Sequence, residues 1–150
     1  MKRVRVYADT SVIGGCLDEE FAEPSRALLE MVRQGEVALV MSDLLLDEIR
    51  RAPSEVVAIL DSLPPANVEL TTASSEALRL RDRYLAEGIV GSGSKDDALH
   101  VALATLARVD LIVSWNFRHI VHYDKIRKYN AVNLLEGYPT VEIRTPEEFV

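Results

Sequence analysis

Three carboxylates, Asp9, Glu48 and Asp97, stand at positions from which side chains could do chemistry together. Asp9 ends an apolar-alternating stretch and is followed by two hydroxyl residues, Thr10 and Ser11, either of which could fix its carboxylate by a hydrogen bond from outside the ligand set. The competing reading of Asp9 is an ordinary loop or cap aspartate. Glu48 has Leu45, Leu46 and Ile49 as neighbours, so it belongs near the edge of a buried stripe, where a carboxylate needs a cation or donors to offset lost hydration. Its alternative is a surface ion pair with Arg50 or Arg51. Asp97 lies in the first turn of a helix, where it either complements the helix dipole or is aimed into a site. Asp96 is rotated by roughly 100° around that helix and ranks behind it.

Other chemically capable side chains have plainer readings. His100 is one helical turn beyond Asp97, and His119 and His122 are spaced to share a helix face, which without a cysteine cluster is structural rather than a zinc site. Trp115 reads as packing. Carboxylates gathered at one place would repel a phosphate unless a metal cation intervened, so the location of the acids matters more than their total.

The elements that must position these residues alternate. Arg3 to Ala8 reads as a strand with Asp9 at its end, after which Thr10, Ser11, Gly14 and Gly15 break regularity. A helix runs from Pro24 through Val32 and is closed by Gly35. Val37 to Met41 is an apolar run suited to a strand buried on both faces. Ser42 is the N-cap for the segment carrying Leu45 and Glu48, and Pro53 interrupts before a further helical stretch to Leu60. Pro64-Pro65 marks a turn and Val68 to Leu70 a short strand. Ser75 to Glu87 is helical, with Gly88 at the position after its end, and Ser94 caps the next helix, whose apolar face is supplied by Ala98, Leu99, Ala102, Leu103 and Leu106. Leu111 to Val113 is a third buried strand, and Thr145-Pro146-Glu147-Glu148 has the pattern of a capping box.

Strands alternating with helices indicate a parallel sheet with right-handed crossovers, an α/β fold in which sites gather at the carboxyl ends of strands. Asp9 and the segment Ser114-Trp115-Asn116 both lie at such ends. With 150 residues, 48% of them hydrophobic and 27% charged, the chain is long enough for one core, and residues 1–150 read as a single folded domain.

A net charge of −7 argues against a broad basic surface that binds nucleic acid by counterion release, but not against an enzyme acting on nucleic acid. The one cysteine, Cys16, leaves no intramolecular disulfide to form and reads as an apolar filler in a reducing compartment. Asp9 ends the first apolar stretch too early for a signal peptide, and no apolar run approaches the about 20 residues that span a bilayer. The expected location is the cytoplasm. There is no Walker A loop, no G-x-G-x-x-G after the first strand and no G-x-S-x-G elbow, which sets aside nucleotide-cofactor and serine-hydrolase chemistry.

Asp9-Thr10-Ser11, Ser42 through Glu48, Asp97-Ala98-Leu99-His100-Val101-Ala102 and Ser114-Trp115-Asn116-Phe117, in that order, resemble the PIN-domain ribonuclease family, particularly its VapC-type toxins. The resemblance spans essentially the whole chain. It implies a three-layer α/β/α fold with a central parallel sheet, an acidic Mg²⁺ or Mn²⁺ site, cleavage of RNA, a cognate antitoxin as partner and homodimerisation. It assigns the first, second and third acids to Asp9, Glu48 and Asp97, and places Asn116 where many members carry a fourth. Asparagine keeps an oxygen ligand but loses a charge, which favours one metal over two.

Lys95, Arg79 and Arg83 are candidate contacts to a substrate backbone. The alternative to an endoribonuclease is a catalytically weak or inactive PIN-fold module that binds RNA or a protein partner. A metal-dependent phosphohydrolase using Asp9 as a covalent nucleophile is a third reading, disfavoured by Ser11, which stands where its commonest motif has a second aspartate.

Overall fold

The computed structural model describes residues 2–150. Five strands form one wholly parallel sheet: β1 (Val4–Ala8), β2 (Val37–Ser42), β3 (Val68–Thr71), β4 (Leu111–Val113) and β5 (Glu142–Arg144), in the order β3-β2-β1-β4-β5. The order reverses at β1, which pairs with β2 on one side and β4 on the other. Such a reversal opens a crevice at the carboxyl edge of an α/β sheet, where Asp9 leaves β1.

Strand alternation assigns side chains to the two faces. Tyr7, Val40, Ile112 and Ile143 face one core, closed by α5 (Ser75–Ala86), α6 (Lys95–Leu106) and α7 (Tyr123–Leu135). Val6, Ala8, Leu39, Met41, Leu111 and Val113 face the other, closed by α1 (Thr10–Gly15), α2 (Ala22–Arg33), α3 (Asp43–Ile49) and α4 (Ser54–Asp61). This is the three-layer arrangement expected from the sequence. β2 is buried along its full length, as its unbroken apolar run requires when helices cover both faces.

Several helix boundaries follow the local chemistry. The Ser42 hydroxyl accepts from Leu45 N–H at 3.1 Å and caps α3, and Pro53 stands at the N-cap of α4. Gly35 and Gly88 adopt φ of +75° and +71° after α2 and α5, a left-handed conformation that glycine takes without a Cβ clash. The capping box of Thr145 and Glu148 is formed in both directions and starts α8 (Pro146–Phe149).

Four expectations need correction or addition. Residues Thr10–Gly15, read as irregular, form α1, because Val12, Ile13 and Gly15 bury against the core and this packing outweighs the low helix propensity of Thr, Ser and Gly. Ser94 stands at the N-cap of α6 but makes no side-chain cap; its hydroxyl is engaged by His119 at 3.1 Å. His119 and His122 do not share a helix face, since His119 lies in the turn after β4 and His122 is the N-cap residue of α7. Both α7 and β5 arise where no element had been read from the sequence: α7 is only weakly amphipathic and β5 is three residues long.

Candidate active site at the carboxyl edge of the sheet

Asp9 is 4% exposed, and each of its carboxylate oxygens accepts one hydroxyl hydrogen bond, Oδ1 from Ser11 at 2.6 Å and Oδ2 from Ser114 at 2.7 Å. Both hydroxyls are themselves aimed. Trp115 N–H donates to Ser11 Oγ and Asn116 N–H to Ser114 Oγ, each at 2.9 Å, so the serine protons are left to point at Asp9. Burial nonetheless pushes the Asp9 carboxyl above the ordinary aspartate range; His100 and the two serines oppose this, while nearby Asp97 adds to it. A buried carboxylate held in place yet disfavoured in its charged form is a group that a cation would stabilise.

Glu48 reaches the same edge from α3. Its Oε1 accepts from Thr10 Oγ1 at 2.8 Å and from His100 Nε2 at 2.7 Å. Thr10 therefore serves Glu48, and of the two hydroxyl residues after Asp9 only Ser11 bonds Asp9 itself. Burial works against the charged Glu48, but the hydrogen bond and charge of His100, with Thr10 and Arg51, outweigh it and hold the carboxyl below the ordinary range. The rival surface pairing does not form: Arg50 pairs with Asp47 at 3.4 Å.

His100, set aside in the sequence as merely one turn beyond Asp97, is the residue that sequence reasoning undervalued. Its ring is buried on α6, and Nδ1 lies 2.6 Å from Tyr7 Oη, which lies 2.8 Å from Ser42 Oγ. Tyr7 Oη donates to Ser42 Oγ, which also accepts from Leu45 N–H, so Tyr7 Oη is left to accept from His100 Nδ1, while His100 Nε2 faces Glu48 Oε1. This buried chain ties β1, β2, α3 and α6 to one carboxylate. The signals for it were the three-residue spacing of Asp97 and His100 on one helix face and the inward register of Tyr7.

Asp97 is half-buried in the first turn of α6, with its charge felt by Asp9, His119 and Tyr129, and Asp96 is exposed. Asn116 follows β4; its side-chain oxygen accepts from His119 N–H at 2.9 Å, bracing the turn and leaving one lone pair. Arg83 is taken up by ion pairs with Glu87 and Glu136, which removes it as a free backbone contact.

The oxygen donors of Asp9, Asp97, Glu48 and Asn116 suit a hard divalent cation. Among the described residues no three His, Cys, Asp or Glu side chains form a ready-made metal cluster.

The fold is that of solved VapC structures. It is similar to VapBC2 from Rickettsia felis, a structure bound to a DNA fragment from its promoter, with TM-score 0.60 and 13% identity over 95% of this chain and 98% of that one. It is similar also to DNA-bound VapBC from Salmonella typhimurium, with TM-score 0.59 and 15% identity over 95% and 98%. A third likeness is to Mycobacterium tuberculosis VapC20, described as a Sarcin-Ricin loop cleaving toxin, with TM-score 0.57 and 14% identity over 91% and 98%. No protein-family model matches the chain. No curated protein sequence matches it either.

Proposed function

We propose that this protein is a Mg²⁺- or Mn²⁺-dependent endoribonuclease and the toxin of a toxin-antitoxin pair. The observation that carries the reading is Asp9: a buried carboxylate, oriented by Ser11 and Ser114, at the point where the strand order reverses, with the charge of Asp97 acting on it and Glu48 bonded to its neighbour Thr10. Asp9, Asp97 and Glu48 would hold the cation, with Asn116 as a neutral oxygen ligand. When bound, the cation neutralises a phosphodiester and lowers the pKa of an attacking water.

The chain's own residues supply order. The two serines keep both Asp9 oxygens facing the crevice while each oxygen retains a free lone pair. Thr10 and His100 occupy Glu48 Oε1 and leave Oε2 free to accept a proton from water. The antitoxin is a partner of basic character entering the acidic crevice, and the toxin works as a homodimer.

Purified protein is incubated with RNA over a titration of Mg²⁺ and Mn²⁺, beside Asp9→Asn and Asp97→Asn. Metal-dependent cleavage that the two variants lose is the expected result, and equal cleavage by all three proteins removes the assignment. Co-purification with the product of the neighbouring gene tests the antitoxin.

A second reading, a PIN-fold module that binds RNA or protein without turnover, draws on Asn116, whose oxygen already serves His119 N–H. It predicts binding without cleavage. Under it, Asn116→Asp changes neither metal affinity nor activity, whereas a weakened nuclease gains in both.

A further inference from the structure

The segment from Phe117 to Lys128 departs from the charge of the rest of the chain. It carries Arg118, Lys125, Arg127 and Lys128 against the single acid Asp124, in a protein of net charge −7. Elsewhere Arg5, Arg33, Arg50, Arg81, Arg83 and Arg144 are each paired with a carboxylate. Among the described residues none of the four cations in this segment has such a partner. Unpaired positive charge concentrated in one stretch of an acidic protein calls for an anionic partner.

Its place in the fold gives that partner a position. The segment leaves the carboxyl end of β4 directly after Ser114 and Asn116 and runs into the first turns of α7. His119 lies between the two charge groups: Asp97 acts on it from the acidic side, Arg118 and Lys125 from the other, and Lys125 Nζ donates to His119 Nδ1 at 3.3 Å. Arg118 and Lys125 therefore border the acidic crevice, and Tyr123, Arg127 and Lys128 continue from them along the first turns of α7.

Two exposed aromatic rings are interleaved with them. Phe117 is 51% exposed, and its ring is braced from behind by Phe21 and Trp115 at centroid distances of 6.3 and 6.2 Å. Those two rings are stacked on each other at 4.3 Å and 19°. Tyr123 is 73% exposed even with the Arg127 guanidinium over its ring at 5.6 Å. A braced, exposed ring loses little freedom when a base stacks on it, and aromatics among cations suit single-stranded nucleic acid, whose bases are free to stack while its phosphates meet the charges.

We propose that Phe117, Arg118, Tyr123, Lys125, Arg127 and Lys128 form the surface that binds single-stranded RNA beside the acidic crevice. The inference rests on the ribonuclease reading and adds where the strand lies. A closed duplex offers the rings no base to stack on, and a protein with acidic side chains would use the cations but leave the rings idle.

The test is fluorescence anisotropy with a labelled single-stranded RNA of mixed sequence in an Asp9→Asn background, over a range of salt. A variant with Arg118→Gln, Lys125→Gln, Arg127→Gln and Lys128→Gln is expected to bind about tenfold to a hundredfold more weakly. Its log K against log salt is expected to flatten by about 0.7 for each phosphate that is no longer neutralised. Phe117→Ala with Tyr123→Ala is expected to weaken binding about tenfold while leaving the salt slope unchanged. Arg33→Gln with Arg83→Gln, two cations already held by carboxylates on α2 and α5, is the control and is expected to change nothing.

RNA binding that survives in both rim variants, or is lost in the control instead, overturns the surface while the nuclease reading stands on the separate cleavage assay. A protein that neither cleaves nor binds RNA overturns both. Loss in the four-cation variant with none in the aromatic variant overturns the single-strand assignment and points to duplex RNA or an acidic protein, which competition by each then separates.

Discussion

Glu48 and His100 come from helices on opposite faces of the sheet and meet at its carboxyl edge, with Oε1 and Nε2 2.7 Å apart. The contact fixes the second acid by way of a buried chain that ends on a helix cap, so changes in α6 are transmitted to a carboxylate on α3.

His100→Leu removes the donor to Glu48 and leaves buried Tyr7 Oη short of a partner. It is expected to cost about 1–3 kcal/mol of stability, and to lower metal affinity or activity about 10–100-fold. His100→Gln keeps an amide donor for Glu48 but not the Tyr7 contact, so activity recovers more than stability does. Chemical denaturation and metal-titrated cleavage measure the two separately; equal loss of activity in both variants would show that His100 does no more than fill space.

Asp9 and Glu48 are expected to respond to removal of charge with opposite signs. The Asp9 carboxyl is raised in the folded state, so its contribution is full below the ordinary aspartate range and is lost as pH rises through the folded value. Asp9→Asn therefore raises the Tm at neutral pH, and the gain disappears in acid. The Glu48 carboxyl is lowered, so its contribution is present above the ordinary glutamate range and is lost as pH falls through the folded value. Glu48→Gln lowers the Tm at neutral pH, with no difference in acid. In a domain of this size each kcal/mol amounts to about 2–4 °C. Thermal melts from acid to neutral pH check both signs.

Mg²⁺ or Mn²⁺ at millimolar concentration is expected to raise the Tm of the unsubstituted protein, because a ligand that binds the folded state alone stabilises it by mass action. The same ions are expected to leave Asp9→Asn unmoved. Scanning calorimetry with and without EDTA reads this independently of any RNA, and an equal shift in the variant would place the cation elsewhere.

Gly15 lies where a Cβ would come within 2.8 Å of Ser25 Oγ and 3.0 Å of the Trp115 ring. Ser25 is fully buried and accepts from Trp115 Nε1 at 2.7 Å, so neither neighbour can withdraw freely. Gly15→Ala is expected to cost about 1–3 kcal/mol. It also displaces the backbone of Trp115 that orients Ser11. Trp115 is the single tryptophan, so its emission reports the change directly.

Cys16 is 1% exposed, and burial pushes its thiol above the usual cysteine range. It is expected to resist a disulfide-exchange reagent in the native state and to react once the protein unfolds in denaturant. Rapid reaction under native conditions would show that α1 opens.

Sequence by itself determined the alternation of elements and the places where chemistry could stand. Local signals reached that far because they are local: Ser42 caps its helix, Gly35 and Gly88 close theirs, Thr145 and Glu148 form their box, and the unbroken apolar run of β2 marks a strand covered on both faces. Asp9 could be read as the end of β1 and Asn116 as following β4 for the same reason. Where a segment's pattern was weak or short, as in α1, α7 and β5, packing against the rest of the molecule decided, and no local rule could see it.

Only the tertiary structure decided what each polar side chain serves. Thr10 and Ser11 are neighbours with similar hydroxyls, yet one holds Glu48 and the other Asp9, a division made by where α3 docks. His100 and Tyr7 are 93 residues apart and Ser114 and Asp9 are 105 apart, and such pairs exist only once α6 and β4 have packed on or beside β1. A hydrogen bond depends on a few tenths of an ångström between groups distant in the chain, whereas a cap or a period depends on residues that are adjacent. That is why the carboxylates could be placed on their elements from the sequence and the partners that orient them could not.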